Sequence, residues 1–542
     1  MSPLWSRPIS SLTNTIVITN AASATRSTEA GGAGRAPFRR FAFWLDSRRG
    51  WRGDGAALLL GMVSALAYPP IFVLPALLVG IPGLLILVGA ARGPAVAARR
   101  GWWFGFGLNL IGLYWITEAI LLEAAQFWWC VPLAVPGLSA LMAAFIAPVC
   151  ALARCAHPGW PRVLALAGAW VLSDLARQFV LGGFPWNPWG SVWEFPGYPG
   201  DVFIQPTAWV GVHGLTFLTL LLTGVPLLSW AWRGAAVGLL GAWAVAGVLR
   251  LGTPAIPPPE PVTAVLIQGD IPEGLKWDNR VAAEIFRRYL ILTQEGVAAA
   301  GSGRKVVIWP ETASPYLLGR DTAARQYIAE AAGGNPALVG AVSFAPDGRP
   351  LNTLFALDRD GRIAGRYDKW HLVPFGEYQP SWAQIGLQLI PGEGFQPGPG
   401  PETLKVPGSP PFAPFICYEA IFTHQIVNED SRPDWMVNIT NDAWFGNSTG
   451  PRQHLAAARL RAVEEGLPLI RAANTGISAA FDALGREIAR LGMNRAGYLD
   501  VPLPGRLPPT VYERLGLPIP LTLGVLGVAI GLWAGGLKQI LR

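Results

Sequence analysis

Apolar runs near bilayer-spanning length decide most of what this chain can fold into. They fall near residues 55–69, 71–91, 102–122, 128–153, 163–181, 208–230, 234–250 and 517–537, about eight in all. A helix needs roughly 20 apolar residues to cross a bilayer, and the first and seventh runs are short. Hydrocarbon offers no partner for a backbone amide, so such runs must be helical. Only 14% of the 542 residues are charged, against roughly 25% in a soluble domain. The 24 tryptophans fit a chain with membrane interfaces, where Trp collects.

The loops between the runs set an orientation. Arg92, Arg99 and Arg100 follow the second run, Arg154 and Arg162 flank the turn after the fourth, and Arg233 follows the sixth. Lys538 and Arg542 follow the last run, while the connections near 69–70, 123–127 and 182–207 carry almost no Lys or Arg. Basic loops stay on the cytoplasmic side. Both termini are therefore expected in the cytoplasm and residues 251–516 outside it, in the periplasm of a Gram-negative bacterium. The net charge of +7 clusters beside apolar runs and forms no basic stripe, so nucleic acid is not an expected partner. His157, His213, His371, His424 and His454 show no metal-ligand spacing, and no metal or cofactor is expected.

Four regions follow. Residues 1–50 are expected to be a disordered, basic cytoplasmic N-terminus: 1 to about 34 are Ser-, Thr-, Ala- and Gly-rich without periodicity, and a basic patch over 35–52 follows. Residues 51–250 form a membrane domain of about seven helices, 251–516 a catalytic domain, and 517–542 a final helix and tail. Within the membrane part, Asp174 and Arg177 sit one turn apart and Glu118 lies in the third run; ionisable groups at that depth are a structural pair or a functional one. The Pro- and Gly-rich loop from Gly182 to Gly190 breaks helix. Its aromatics suit an interfacial belt or a lipid-contacting rim.

After a Pro-rich linker over 251–261, the pattern changes to alternating strands and helices. Strands are expected over Val262–Gln268, Val306–Trp309, Ala337–Phe344, Leu351–Asp358, Arg362–Asp368, Phe412–Ile416, Trp435–Ile439, Leu469–Ala472 and Ser478–Asp482. Helices are expected over 279–299, 321–332 and 451–466. This predicts helices packed on a largely buried sheet.

Three of these strand ends carry chemistry. Glu311 follows Val306–Trp309 and Pro310, Lys369 follows Tyr367 and Asp368, and Cys417 follows Phe415 and Ile416. Strand ends are where α/β folds place their sites. Cys130, Cys150 and Cys155 lie in apolar segments, so Cys417 has no local partner for a disulfide. A lone thiol at a strand end is a candidate nucleophile, or an inert buried cysteine. It needs a base, which Glu311 can supply. Its attack on an acyl group makes an oxyanion, which Lys369 and a backbone N–H can stabilise. Glu311 as a plain surface charge, or Lys369 in a salt bridge with Asp368 or Glu377, are the ordinary alternatives.

Glu, Lys and Cys in that order resemble the triad of the nitrilase (carbon–nitrogen hydrolase) superfamily, in W-P-E-T at Glu311, Y-D-K-W-H-L-V-P-F-G-E-Y around Lys369 and C-Y-E at Cys417. Joined to about eight membrane helices, the pattern looks like the apolipoprotein N-acyltransferase family. The resemblance runs over nearly the whole chain after about residue 50. It takes in Q-G-D-I-P from Gln268 with Lys276 and Trp277, N-D-A-W-F-G from Asn441, N-T-G-I-S from Asn474, and Phe184-Pro185-Trp186. It implies an αββα sandwich beside the membrane helices. It implies a ping-pong reaction: the Cys417 thiol takes the sn-1 acyl chain of a phospholipid, commonly phosphatidylethanolamine, then passes it to the α-amine of a diacylglyceryl-cysteine that begins a lipoprotein. Glu311 then matches the general base, Lys369 the oxyanion residue and Glu377 a supporting glutamate. Tyr418 and Glu419 match the C-Y-E string, and Trp277 and Trp186 match aromatics that position substrate. The resemblance also implies a monomer in the bacterial inner membrane, with the bilayer, the phospholipid donor and diacylglyceryl-lipoproteins as partners. Residues 1–34 fall outside it, and the lid segment between Tyr378 and Phe412 is richer in Pro and Gly than expected. Apolar residues from Leu387 to Phe395 are expected at a greasy rim. A membrane-anchored amidase that hands the acyl group to water would use the same triad, and a non-catalytic scaffold would have no use for it.

Overall fold

The computed structural model of the chain describes residues 36–122, 124–276, 278–382 and 394–540. The segment 1–34, Trp277 and most of the expected lid from Leu387 onward lie outside these residues. Seven long helices come first: α1 (Trp51–Ser64), α2 (Pro75–Gly89), α3 (Pro94–Gly112), α4 (Val131–Cys155), α5 (Trp160–Phe179), α6 (Thr207–Gly224) and α7 (Trp230–Leu251). Among the described residues, four stretches are long and apolar enough to cross a bilayer: Trp128–Cys155, Trp160–Gly182, Thr207–Leu227 and Trp230–Leu251. Pro75–Gly89 and Pro518–Ala534 are apolar but shorter. The shortfall against about eight has local causes. α1 tightens into a 3₁₀ turn over Ala65–Ala67 just before Pro69 and Pro70, which cannot donate to a helix. α3 carries Arg99 and Arg100 in its second turn.

Small residues set the helix spacing. A Cβ on Gly61 of α1 would strike the Phe104 carbonyl of α3, and one on Gly107 of α3 would strike the Leu58 carbonyl of α1. Helices in lipid gain from such close approach, because no hydrophobic force drives them together. α7 leaves Trp230, Val237 and Leu249 exposed, the surface of a helix that meets lipid.

The second unit is built from two sheets. Its strands are β1 (Val262–Gln268), β2 (Arg304–Ile308), β3 (Ala337–Phe344), β4 (Pro350–Leu357), β5 (Ile363–Asp368), β6 (Phe412–Ile416), β7 (Trp435–Thr440), β8 (Leu469–Ala473), β9 (Ser478–Phe481), β10 (Glu487–Leu491) and β11 (Gly497–Pro502). One sheet is ordered β11-β1-β2-β3-β4-β5 and the other β10-β9-β8-β7-β6. Leu266, Ile308 and Leu354 of the first meet Ile416, Val437 and Ile470 of the second in a shared core. α8 (Ala282–Ala299) and α9 (Thr322–Ala331) cover the outer face of the first sheet through Phe286 and Ile328. α10 (Gly450–Glu465) covers the second through Leu455, Ala458 and Ala462. These are the four layers of an αββα sandwich. The chain then returns through α11 (Pro518–Ile540). A Cβ on Gly168 of α5 would strike the backbone of Gly524 and Val528 on α11, so α5 and α11 lie in close contact.

Strand direction gathers the polar ends. β1, β2 and β3 run parallel, and β5, antiparallel to β4, points the same way as β3. In the other sheet β6, β7 and β8 are parallel. The carboxyl ends of β2 and β5 in one sheet, and of β6 to β8 in the other, open on one edge of the sandwich, and that edge abuts the membrane helices.

Candidate active site

Glu311 lies three residues beyond β2, Lys369 directly after β5 and Cys417 directly after β6. All three are buried, Lys369 to 1% exposure. The Lys369 ammonium lies 3.4 Å from the Glu311 carboxylate and 2.9 Å from that of Glu377. Asn352, at the start of β4, donates to Glu311 at 2.7 Å and to Glu377 at 3.0 Å. The other Glu311 oxygen accepts the Asn441 backbone N–H from the opposite sheet at 2.8 Å. Glu377 is held in turn by the Val373 N–H at 2.8 Å. Glu311 is thus fixed at both oxygens, one tied to each sheet.

Charges in this dry edge act strongly on one another. Burial alone would lower the Lys369 pKa, but the carboxylates of Glu377 and Glu311 outweigh it and raise it, so the ammonium keeps its proton. Burial pushes the Cys417 thiol up, the Glu311 charge pushes it further, and Lys369 pulls it back. The resting group is a thiol in the field of the Glu311 carboxylate. Moving its proton to Glu311 removes the opposing negative charge and leaves the new thiolate beside an ammonium. Lys276 adds a second cation, donating to the Glu311 carbonyl at 3.0 Å.

The turn that carries Cys417 is tightly held. Cys417 has φ +51°, a left-handed conformation uncommon for a residue with a Cβ, at the start of a 3₁₀ turn over Cys417–Ile421. Glu419 in that turn accepts the N–H of Ile416 at 2.6 Å, of Trp370 at 2.9 Å and of His371 at 3.2 Å, and the Tyr367 hydroxyl at 2.9 Å. Burial pushes its carboxyl up to about 7, against the pull of these donors. Tyr418 donates to the Gly183 carbonyl at 2.5 Å, which joins the turn to the membrane part.

Trp186 departs from the exposed-rim expectation. It is 3% exposed, with its indole N–H on the Gln453 carbonyl oxygen at 2.8 Å. Trp115 donates to the same oxygen at 3.1 Å, and the two indoles pack at 4.6 Å. Phe184-Pro185-Trp186 is drawn under the sandwich because α10 supplies an acceptor there and Tyr418, Ile421 and Phe422 supply an apolar bed. Asp174 and Arg177 form a buried pair at 2.7 Å.

The sequence reading missed Asn352, Asn441 as a donor, and a charged array behind the nucleophile. In that array His454 Nε2 lies 2.8 Å from the Cys417 carbonyl oxygen, and Nδ1 lies 2.8 Å from Asp442. Arg471 donates to Asp442 at 2.8 Å. Asn441 and Asp442 do follow β7 directly, the same strand-end position that marked the triad. Nothing local marks His454 or Gln453, which sit within a helix.

A paired-sheet sandwich with Glu, Lys and Cys gathered at its strand ends, seated on apolar helices, defines a carbon–nitrogen hydrolase-type domain carried by a membrane unit. Residues 264–506 match the carbon–nitrogen hydrolase family and residues 60–225 match the apolipoprotein N-acyltransferase N-terminal domain. The apolipoprotein N-acyltransferase of Rhodopseudomonas palustris is 40% identical over 498 residues, covering 86% of this chain and 92% of that one. That of Bradyrhizobium diazoefficiens is 38% identical over 515 residues, covering 88% and 94%. An amidase from Nesterenkonia superposes at TM-score 0.34 with 19% identity, over 46% of this chain and 93% of its own, a likeness too remote to weigh. The chain belongs to the apolipoprotein N-acyltransferase family.

Proposed function

We propose that this enzyme moves the sn-1 acyl chain of a phospholipid, commonly phosphatidylethanolamine, through a Cys417 thioester to the α-amine of a lipoprotein's diacylglyceryl-cysteine. The observation that carries the reading is the Glu311–Lys369–Glu377 cluster around the Cys417 turn, on the sandwich edge that abuts the membrane helices. Glu311 takes the thiol proton and the thiolate attacks the ester carbonyl. The oxyanion forms against Lys369 and a backbone N–H. Its collapse breaks the ester C–O bond, and Glu311 returns the proton to the departing lysophospholipid. The amine then attacks the thioester, losing a proton to Glu311 as the C–N bond forms. The C–S bond breaks and the thiol is restored. Glu377 and Asn352 hold Lys369 and Glu311 in register, which is where orientation contributes to rate.

The topology belongs to the same proposal. Eight helices, α1 to α7 and α11, pass through the inner membrane of a bacterium, with both termini cytoplasmic and the sandwich in the periplasm, in a monomeric enzyme. The eight apolar runs and the alternately basic loops support it. Tyr418, Glu419 and Trp186 support the site from behind, and Trp277 is placed near substrate by family likeness alone.

Intact mass spectrometry tests the chemistry. Detergent-purified protein incubated with phosphatidylethanolamine should gain one fatty acyl group. The Cys417→Ala variant should not, and a diacylglyceryl-cysteine peptide should discharge the adduct. An adduct discharged by water and not by the peptide would make the enzyme a hydrolase.

A further inference from the structure

We infer that His454 is a positioning residue for the nucleophile, clamping the Cys417 carbonyl so that the strained turn presents its thiol to Glu311. The inference rests on Cys417 being the acylated group. Cys417 adopts a left-handed φ of +51°, which residues with a Cβ hold only where the surroundings over-determine them. Two contacts do so. On the amino side, Glu419 takes the Ile416 N–H at 2.6 Å. On the carboxyl side, His454 Nε2 reaches the Cys417 carbonyl at 2.8 Å. The second clamp comes from α10, which packs on the same outer face of the second sheet as Ala420 of the turn.

The carbonyl can only accept, so this contact requires a proton on Nε2. Nδ1 has a partner in either charge state that carries this proton: an acceptor, Asp442, lies 2.8 Å away and a donor, Arg471, 3.1 Å away. With Nε2 protonated, a neutral ring accepts from Arg471 at Nδ1 and a charged ring donates there to Asp442. Asp442 and Arg471 pair with each other at 2.8 Å, and Asn438 accepts from Arg471 as well. The ring itself cannot swing, since Trp186 lies 5.8 Å and Phe445 5.9 Å from its centre and His454 is wholly buried. Trp186 thereby bears on the nucleophile through one intervening ring.

The test compares His454→Leu, which fills the space without a donor, with His454→Gln, whose amide N–H reaches about as far as Nε2. Full-length variants in detergent are melted to establish folding. Single-turnover acylation by phosphatidylethanolamine is then followed as the mass of the acyl adduct. The leucine variant should acylate roughly 100-fold more slowly, the cost of a misplaced reacting atom, with the donor concentration for half-maximal rate unchanged. Glutamine should recover most of the loss. If the leucine variant does not fold, His454→Asn, whose amide is too short to reach the carbonyl, takes its place. Wild-type acylation by a folded leucine variant would overturn the inference, as would equal loss in glutamine and leucine, or a loss confined to donor affinity. Absence of an adduct on the wild-type enzyme would overturn the donor assignment, and this inference with it.

Discussion

At the scale of single residues, the site is governed by buried charges that are each answered. Glu419 meets its donors at both oxygens. Replacing it with glutamine turns an N–H toward one of them. The Glu419→Gln variant should lose about 1–3 kcal/mol of stability, the cost of an unsatisfied buried donor, read as a lower melting temperature together with slower acylation. Asp442 gives a pH dependence. Burial would raise its pKa, but Arg471 and His454 outweigh burial and hold it at about 2. Its folded-state value lies below the ordinary one. Its contribution of roughly 2 kcal/mol is therefore complete above about pH 5 and is lost as pH falls toward 2. Wild-type stability should drop through that window, and Asp442→Asn should flatten the drop while lowering stability at neutral pH. Denaturant titrations at stepped pH check both. Glu311, Lys369 and Cys417 were legible as candidates because each follows a strand end, and as a set because their motifs fall in the order of a known family. His454 was not, because a histidine within a helix looks the same whether it packs a core or grips a nucleophile.

At the scale of elements, period and punctuation revealed nine of the eleven strands. Ala337–Phe344 and Phe412–Ile416 match the expected bounds outright. The missed pair, β10 and β11, are edge strands of their sheets and largely open to solvent. Without a buried face they carry no alternation to read. Period alone pointed to one buried sheet, and the division into two came only with the family resemblance, since pairing is a long-range choice. α10 shows how one element serves two cores: its apolar face covers the second sheet while Gln453 turns to the membrane unit. Gln453→Leu should strand the N–H groups of both Trp115 and Trp186 in an apolar bed. A fall of several degrees in melting temperature in detergent is expected, with less acylation at temperatures where wild type is intact.

At the scale of the whole molecule, the two units form one body. Tyr418 bonds Gly183, Gln178 donates to the Thr423 carbonyl, and Glu464 accepts the Val212 N–H. The proposed orientation is checked with thiol labels. Cys155 is exposed at the last residue of α4, at a helix end assigned to the cytoplasm. An impermeant maleimide should leave it untouched in spheroplasts until the membrane is opened, while Ser302→Cys in the sandwich should react at once. The reverse pattern would invert the topology. The bond from Tyr418 to Gly183 ties the residue after the nucleophile to the end of a helix in the bilayer. In the proposed mechanism the Cys417 thiol is thereby moored at a set altitude above the lipid. Each donor must climb until its ester reaches that level, and the membrane becomes the movable part of the machine. Turnover should follow bilayer thickness, which sets how far an ester has to rise, and a tethered enzyme on a slack linker would ignore it.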